Sequence, residues 1–149
     1  MSTLRSLMIW TGGAALLAAT ALDTIAVIGR QLGFALHGTI ELIQAAVLVA
    51  GSLALIAATA ANNHARVRLV IDRLGRSRAR FERGADLLTA VFALALLVGS
   101  GWLAIDLWNS HEVSEIAGVP WRWLRLFANV SLIAVIALAL RAFARGDMK

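Results

Sequence analysis

Four long apolar runs, separated by short polar segments, dominate the pattern of hydrophobic and polar positions along the chain. A transmembrane helix needs about 20 mainly apolar residues, because roughly 30 Å of hydrocarbon is crossed at about 1.5 Å per residue. The runs that meet this length cover residues 7–29, 36–61, 85–108 and 123–143. Their backbones must be helical, since unpaired peptide groups are costly in lipid. The pattern therefore predicts an all-α membrane protein with four transmembrane helices, forming one domain over residues 1–149.

The composition supports a membrane environment. Hydrophobic residues make up 60% of the 149 residues, whereas about 45–50% is usual in soluble domains. The absence of cysteine excludes disulfide bonds, thiolate catalysis and cysteine-ligated metals. The net charge of +5 would suit nucleic-acid binding, but the basic residues adjoin the apolar runs. We therefore predict membrane lipids, and not nucleic acid, as partners.

Positive charge is concentrated between the second and third runs, in residues 62–84, which contain seven arginines and two acidic residues. Because basic residues are enriched in cytoplasmic loops, this segment and both chain termini are predicted to be cytoplasmic. Indole rings favour the membrane–water interface. The side chains expected to anchor the outer interface are Trp102, Trp108, Trp121 and Trp123.

The arginine-rich segment also has a helical hydrophobic period. Val67, Ile71 and Leu74 fall on one face of a helix, and arginines cover most of the rest. We predict an amphipathic basic helix along the membrane surface, held by anionic headgroups. Its anchors would be Arg73, Arg76 and Arg80. Positive charge that sets the topology without any specific contact is the alternative.

The first run has two interpretations. Arg5, the apolar stretch that follows and the small residues Ala19 and Ala21 resemble a secretory signal peptide with its cleavage site. The same residues suit a transmembrane anchor, and we expect an anchor that is not cleaved. The orientation of the other three spans is the same in either case.

Four charged residues fall within or beside the spans. A charge at the centre of a membrane helix costs about 2.5–3.5 kcal/mol on insertion scales, so a partner or a function is expected for it. Asp23 lies seven residues before Arg30, which places both on roughly the same helix face. The predicted intramembrane ion-pair cluster consists of Asp23, Arg30, Glu41 and Asp106. An ion or proton path through the chain, or side chains that reach to the interface individually, would also account for these residues.

The three histidines invite a membrane-haem interpretation, because facing helices of a bundle can ligate iron through imidazoles. His37 and His111 are expected at the outer ends of spans and His64 at an inner end, so no pair shares the apolar centre. The sequence has no HExxH metal motif, no nucleophile-and-base constellation and no phosphate-binding loop. We therefore predict no catalytic, cofactor-binding or metal site and no enzyme activity, with a haem or redox protein kept as an alternative.

Small residues recur at four-residue spacing along the second span. Such a stripe lets another helix backbone approach closely. Its members are Ala46, Ala50, Ala54 and Ala58. Contact within this chain and contact with a partner protein are both compatible with the pattern.

Several short segments stand in a fixed order around the four spans. They are Arg30 at the end of the first span, Gly38-Thr39-Ile40-Glu41-Leu42, His64-Ala65-Arg66-Val67, Ile71-Asp72-Arg73-Leu74 and Ser114-Glu115-Ile116-Ala117-Gly118-Val119-Pro120-Trp121. Together with the four spans, these segments resemble one family of membrane proteins, the small membrane subunit (DctQ-type) of tripartite ATP-independent periplasmic (TRAP) transporters, and the resemblance extends from about residue 27 to residue 143. The family often has paired acids where Glu41 stands alone, and has Val-Asp where this chain has Val67-Arg68.

The resemblance implies a subunit of a complex in the bacterial inner membrane. There a periplasmic substrate-binding protein would deliver a small organic acid to a large sodium-coupled permease subunit, which this chain would brace. Sodium coupling would belong to the large subunit, so this chain would need no cofactor, although a bound phospholipid would be compatible with it. The structurally important positions that the resemblance carries over are Arg30, Glu41, His64, Arg66 and Asp72. A self-sufficient proton-coupled transporter, acting as a homodimer through Asp23, is the alternative.

Overall fold

The computed structural model describes residues 2–34, 36–61, 78–110 and 112–145, and the long regular elements in these parts of the chain are helices. The helices are α1 (Ser2–Gln31), α2 (Thr39–Ala60), α3 (Arg78–Asp106) and α4 (Trp121–Arg145). Each contains a segment long and apolar enough to cross a membrane, namely Ser6–Gln31, Thr39–Ala60, Arg83–Asp106 and Trp121–Ala144. The prediction of an all-α chain with four candidate spans is confirmed. The predicted amphipathic helix falls mostly on residues 62–77, which lie outside the described residues.

Glycines with positive φ set the connection between α1 and α2. Gly33 has φ 85°, the Phe34 amide donates to the Gly29 carbonyl at 3.0 Å, and the Gly33 amide donates to the Arg30 carbonyl at 3.4 Å. This pair of hydrogen bonds is a Schellman motif, which ends α1 and satisfies carbonyls of its last turn. Gly38, with φ 79°, then precedes the first residue of α2. The second span therefore begins at Thr39 and not at residue 36, because the left-handed turn at Gly38 cannot continue a helix.

The helices form a single layer in the order α1, α2, α4, α3. In the described part of the chain the extensive interhelical contacts are those of α1 with α2, α2 with α4, and α3 with α4. Only 11% to 22% of the residues in the most apolar part of each span are buried. The buried hydrophobic residues are mostly small, namely Ala19, Ala50, Ala90, Ala93, Val135 and Ala139. Large apolar side chains cover the outside, as expected where lipid or another membrane protein surrounds the helices.

Candidate functional site

One end of the layer carries a structured loop, and polar contacts between different elements of the described chain are found there. This end is formed by the C-terminus of α1, the N-terminus of α2, the N-terminus of α4 and the loop between α3 and α4, of which the structure describes residues 107–110 and 112–120. We call it the Glu41 end. The residues at this end that the sequence pattern singled out are Asp23, Arg30, His37, Glu41, Asp106, Trp108, Trp121 and Trp123.

The loop folds back on itself at Ser114. The Ser114 amide donates to the Val119 carbonyl at 2.9 Å, and the Ser114 hydroxyl accepts a hydrogen bond from the Val119 amide at 2.9 Å. Gly118, with φ 64°, makes the reversal, and Val113 and Pro120 form an isolated antiparallel bridge. Ser114 is buried, with 5% of its surface exposed. These bonds leave the amides at the tip of the loop available to another group.

The carboxylate of Glu41 binds those amides. Its Oε2 accepts hydrogen bonds from the Ala117 amide at 2.7 Å and from the Ile116 amide at 3.3 Å. Glu41 lies in the first turn of α2, where a negative charge also interacts favourably with the helix dipole. A charge-assisted hydrogen bond of this kind is stronger than a neutral one. Glu41 therefore joins α2 to the α3–α4 loop, and we call this contact the Glu41–loop joint.

Gly38 allows the loop to approach α2. A Cβ atom at this position would lie 3.1 Å from Cγ2 of Ile116 and 3.3 Å from the amide nitrogen of Ala117. The residue thus serves both the left-handed turn before α2 and the close contact with the loop. Since Gly38 and Glu41 are three residues apart, one short segment provides both the space for the loop and the carboxylate that binds it.

The other side of the loop is tied to α4. Arg125 Nη2 donates to Glu112 Oε2 at 2.5 Å in a partly buried ion pair. The Trp108 and Trp123 rings meet edge to face, with centroids 6.5 Å apart, and the Arg122 guanidinium lies 5.6 Å from the Trp123 ring centroid. Glu41 therefore holds the loop to α2, and Glu112 holds it to α4.

A cleft of about 830 Å³ opens between α1, α2, the loop and α4 at this end. The structure brings three of the four predicted ion-pair residues, Asp23, Arg30 and Glu41, to its wall, whereas Asp106 does not line it. Among the described residues, the ion pair at this end is that of Arg125 with Glu112, and none includes Asp23, Arg30 or Asp106. The carboxylate of Glu41 is bound by backbone amides and not by Arg30.

The small-residue stripe of α2 is divided between two environments. Ala50 is buried, and a Cβ atom at Gly12 of α1 would lie 3.7 Å from its carbonyl oxygen, so α1 packs closely on this part of the stripe. Ala46 and Ala58 are half-buried and Ala54 is exposed. Contact of Ala54 with a partner protein stays a prediction.

The predicted interface tryptophans Trp102, Trp108 and Trp123 are exposed, and Trp121 is half-buried against the cleft. The backbone of Arg80 lies in α3, but its side chain is not described. Six further residues that the sequence pattern singled out lie outside the described residues, so their contacts stay predictions. They are His64, Arg66, Asp72, Arg73, Arg76 and His111.

Among the described residues, His37 is the only histidine that could ligate haem, so this part of the chain contains no pair of imidazoles. His37 is exposed in the turn before α2. No group of three or more histidine, aspartate or glutamate side chains that could hold a metal ion is found in the described part of the chain.

Sequence reasoning missed two features of this fold. The first is the pairing of Glu112 with Arg125, for which thirteen residues of separation across a loop provided no signal. The second is the buried face of α3, where Ala90 and Ala93 are 5% and 2% exposed. Small residues three positions apart in the third span could have indicated this face. The sequence-based prediction of a packing face used only the small residues of the second span.

Comparison with known proteins gives one family. The family model described as "Tripartite ATP-independent periplasmic transporters, DctQ component" matches residues 19–147, which is most of the chain. No curated protein and no solved structure gives a match. The matched region contains the Glu41–loop joint, the Glu112–Arg125 ion pair and the cleft.

Proposed function

Since the chain belongs to the DctQ component family of tripartite ATP-independent periplasmic transporters, we propose that it braces the large permease subunit of such a transporter during substrate uptake. Family membership makes the chain a small permease component and not an enzyme, and the four apolar helices make it a multi-pass membrane protein. The bracing role goes beyond the family match. It is supported mainly by the single-layer arrangement of the helices.

A single layer suits a brace better than a transporter that acts alone. A substrate path through the membrane must be surrounded by protein, whereas α1 and α3 here pack extensively on one neighbour each. The layer leaves two broad faces with exposed large apolar side chains, such as Leu88 at 69% and Ile105 at 80% exposure. Transmembrane helices associate through packing of such faces. A large permease subunit would cover one face and lipid the other.

In the proposed complex, the large subunit carries the sodium-coupled transport of a small organic acid, which a periplasmic binding protein delivers. The complex lies in the bacterial inner membrane, with both termini of this chain and the arginine-rich segment in the cytoplasm. The Glu41 end then faces the periplasm. The joint and the ion pair at that end keep the α3–α4 loop fixed, so that the brace does not yield when the large subunit moves.

The test is co-purification. The tagged chain is solubilised in a mild detergent from cells that also make the large subunit and the binding protein, and the proteins recovered with it are identified by mass spectrometry. We expect the large subunit in near-equal amount. Recovery of this chain only as a homo-oligomer would contradict the proposal.

A second measurement separates bracing from transport. With a sodium gradient and the substrate-loaded binding protein supplied outside, liposomes that contain this chain alone should show no uptake, and liposomes with the large subunit alone should show much less uptake than liposomes with both. Uptake by this chain alone that is lost on Asp23→Asn would instead favour a self-sufficient transporter.

A further inference from the structure

Asp23 is an exposed carboxylate within a candidate membrane span. It lies eight residues before Gln31, where the span ends, which corresponds to about 12 Å along the helix axis. Its short side chain cannot reach the interface from that depth, whereas the long side chain of Arg30 can. In the described part of the chain no ion pair joins Asp23 to another residue. A charge in this position indicates a function or a partner.

The cleft beside Asp23 carries an excess of negative charge. Of the described residues, four acids and two bases line it, namely Asp23, Glu41, Glu112, Glu115, Arg30 and Arg125. Arg125 already pairs with Glu112, and Arg30 lies next to the end of its span. The cleft is therefore complementary to a basic side chain that enters it at the level of Asp23.

A second cavity continues the cleft along the contact of α1 with α2. It is an apolar groove of about 520 Å³ that leads away from the Glu41 end. At Gly13 and Gly51, which line it, an added Cβ atom would meet nothing within 4 Å. Exposed backbone of this kind lets a further helix approach closely. We call the cleft and the groove together the α1–α2 seam.

The two cavities lie on the same face of α2. The exposed residues of α2 that line one or the other are Ile40, Gln44, Val47, Gly51 and Ala54. They are alternately four and three residues apart, and this spacing places them in one row along a helix. The row extends for about 21 Å, which is most of the roughly 30 Å of hydrocarbon in a bilayer.

A matching row runs along α1. The exposed residues of α1 that line the seam are Ile9, Gly13, Leu16, Asp23 and Arg30. Their separations of three, four and seven residues again place them in one row. The seam is therefore long enough for a complete transmembrane helix, with Asp23 as the charged position inside it.

We infer that the α1–α2 seam seats one transmembrane helix of the large permease subunit, and that a lysine or arginine of this helix pairs with Asp23. The inference rests on the proposed function and names the face of the layer that the large subunit covers. Hydrocarbon chains offer no donor to a carboxylate, and the cationic groups of lipids stay at the headgroups. Lipid alone would therefore leave Asp23 without a partner.

A second copy of this chain does not fit the seam as well. Among the described residues, the basic residues of the candidate spans lie at most four positions from a span end. They are Arg30, Arg83, Arg122, Arg125 and Arg141. None of them reaches the depth of Asp23, which is eight residues from its own span end. A different membrane protein must supply the base.

Photo-crosslinking in the assembled complex tests which face is covered. Benzoylphenylalanine replaces Leu16 or Ala18, both of which are exposed, in the chain made together with the large subunit and the binding protein. The two positions are about 200° apart around the helix, and only Leu16 lines the groove. We expect a crosslink to the large subunit from position 16 and its loss at position 18. No crosslink from position 16, or an equal one from position 18, would overturn the inference.

Charge reversal tests the ion pair. Asp23→Lys should lower the amount of large subunit recovered with the tagged chain by at least about tenfold, because it brings two basic side chains together, and Asp23→Asn should lower it by less. Asp106→Lys is the control, since Asp106 is exposed and does not line the cleft. An aspartate in place of the basic residue nearest to the crosslink should restore recovery with Asp23→Lys. Unchanged recovery with Asp23→Lys, or no restoration by the second substitution, would refute the pair.

Filling the groove tests the seam without any change of charge. Gly51→Leu should lower recovery of the large subunit, whereas Gly99→Leu on α3 should not. Both glycines are exposed, and at both an added Cβ atom meets nothing within 4 Å. Equal recovery with the two variants would refute close packing in the seam.

The unsubstituted chain separates failure of this inference from failure of the bracing role. If it recovers no large subunit, the bracing role is wrong and the inference is wrong with it. If it recovers the large subunit but the substitutions at Asp23 and Gly51 have no effect, the bracing role stands and the large subunit covers another face of the layer.

Discussion

Glu41 illustrates what decides the partner of a single charged residue. By depth and charge, an arginine at the same membrane boundary is an obvious partner. In the structure its carboxylate instead accepts amides from Ile116 and Ala117, which belong to a loop 75 residues away in sequence. A carboxylate is a stronger acceptor for backbone N–H groups than a neutral oxygen, so Glu41 stabilises the tip of the loop as well as itself.

Replacing Glu41 with glutamine should weaken the joint. The side-chain amide keeps the shape but has one acceptor oxygen and an NH₂ group that would face backbone N–H donors. We expect a lower unfolding temperature for the purified chain in detergent, followed by tryptophan fluorescence, and faster proteolysis within residues 107–120. Glu115→Gln, at an exposed position of the same loop, is the control. An unchanged unfolding temperature for Glu41→Gln would show that the joint contributes nothing to stability.

Gly38→Ala should destabilise the chain more than Gly33→Ala. Both glycines have positive φ, which costs about 1–2 kcal/mol for a residue with a Cβ atom. Only at Gly38 would the added Cβ meet the loop, at 3.1 Å from Ile116, whereas it meets nothing within 4 Å at Gly33. The difference in free energy of unfolding between the two variants, from denaturant titration, measures the crowding. Equal losses would mean that the loop yields without cost.

At the scale of helices, the contact of α3 with α4 depends on small residues. α4 is the only extensive neighbour of α3 in the described structure, so the buried Ala90 and Ala93 face it. On α4, Ser131, Val135 and Ala139 are buried at four-residue spacing, and the Ser131 hydroxyl donates to the Phe127 carbonyl of its own helix at 2.8 Å. That internal bond keeps the hydroxyl satisfied among apolar neighbours. Close approach of the backbones, rather than expulsion of water, holds such helices together in lipid.

Ala93→Leu should separate α3 from α4. A larger side chain in a tightly packed site costs about 1–3 kcal/mol, and leucine keeps the helix propensity high. Ala95→Leu, on the exposed side of the same helix, should change the free energy of unfolding by less than about 0.5 kcal/mol. The comparison is made by titration with a denaturing detergent. Equal effects of the two substitutions would place the contact elsewhere on α3.

At the scale of the whole molecule, the layer has two faces and few buried residues. The order α1, α2, α4, α3 places the first and third helices at its edges. Extensive apolar exposure on such a layer is normal in lipid but would be an aggregation hazard in water. The chain therefore needs a membrane and, in the proposed complex, a partner to complete it.

The orientation of the layer is testable because the chain has no cysteine. A cysteine at Ser110, exposed at the Glu41 end, should react in intact cells with a maleimide that cannot cross the inner membrane. A cysteine at Ser77, in the arginine-rich segment, should react only after the cells are permeabilised. The reverse pattern would contradict cytoplasmic termini and the direction proposed for the complex.

The sequence by itself determined the number and approximate limits of the membrane helices. Uninterrupted apolar runs of about 20 residues span lipid as helices, because a helix pairs every peptide group within its own segment. It also indicated the family, through segments such as residues 38–42 and 114–121 that the family model covers. The start of α2 differed by three residues because a left-handed glycine, and not hydrophobicity, sets it.

Only the tertiary structure decided which helices are neighbours and which groups meet at the Glu41 end. Apolar periodicity is nearly uninformative where lipid and protein are equally apolar, so the order of the layer could not be obtained from it. The partners of Glu41 are backbone amides, which every residue type except proline carries and which therefore leave no mark in a sequence. The cleft, likewise, exists because α1, α2 and α4 converge on one loop, and that convergence is a property of packing.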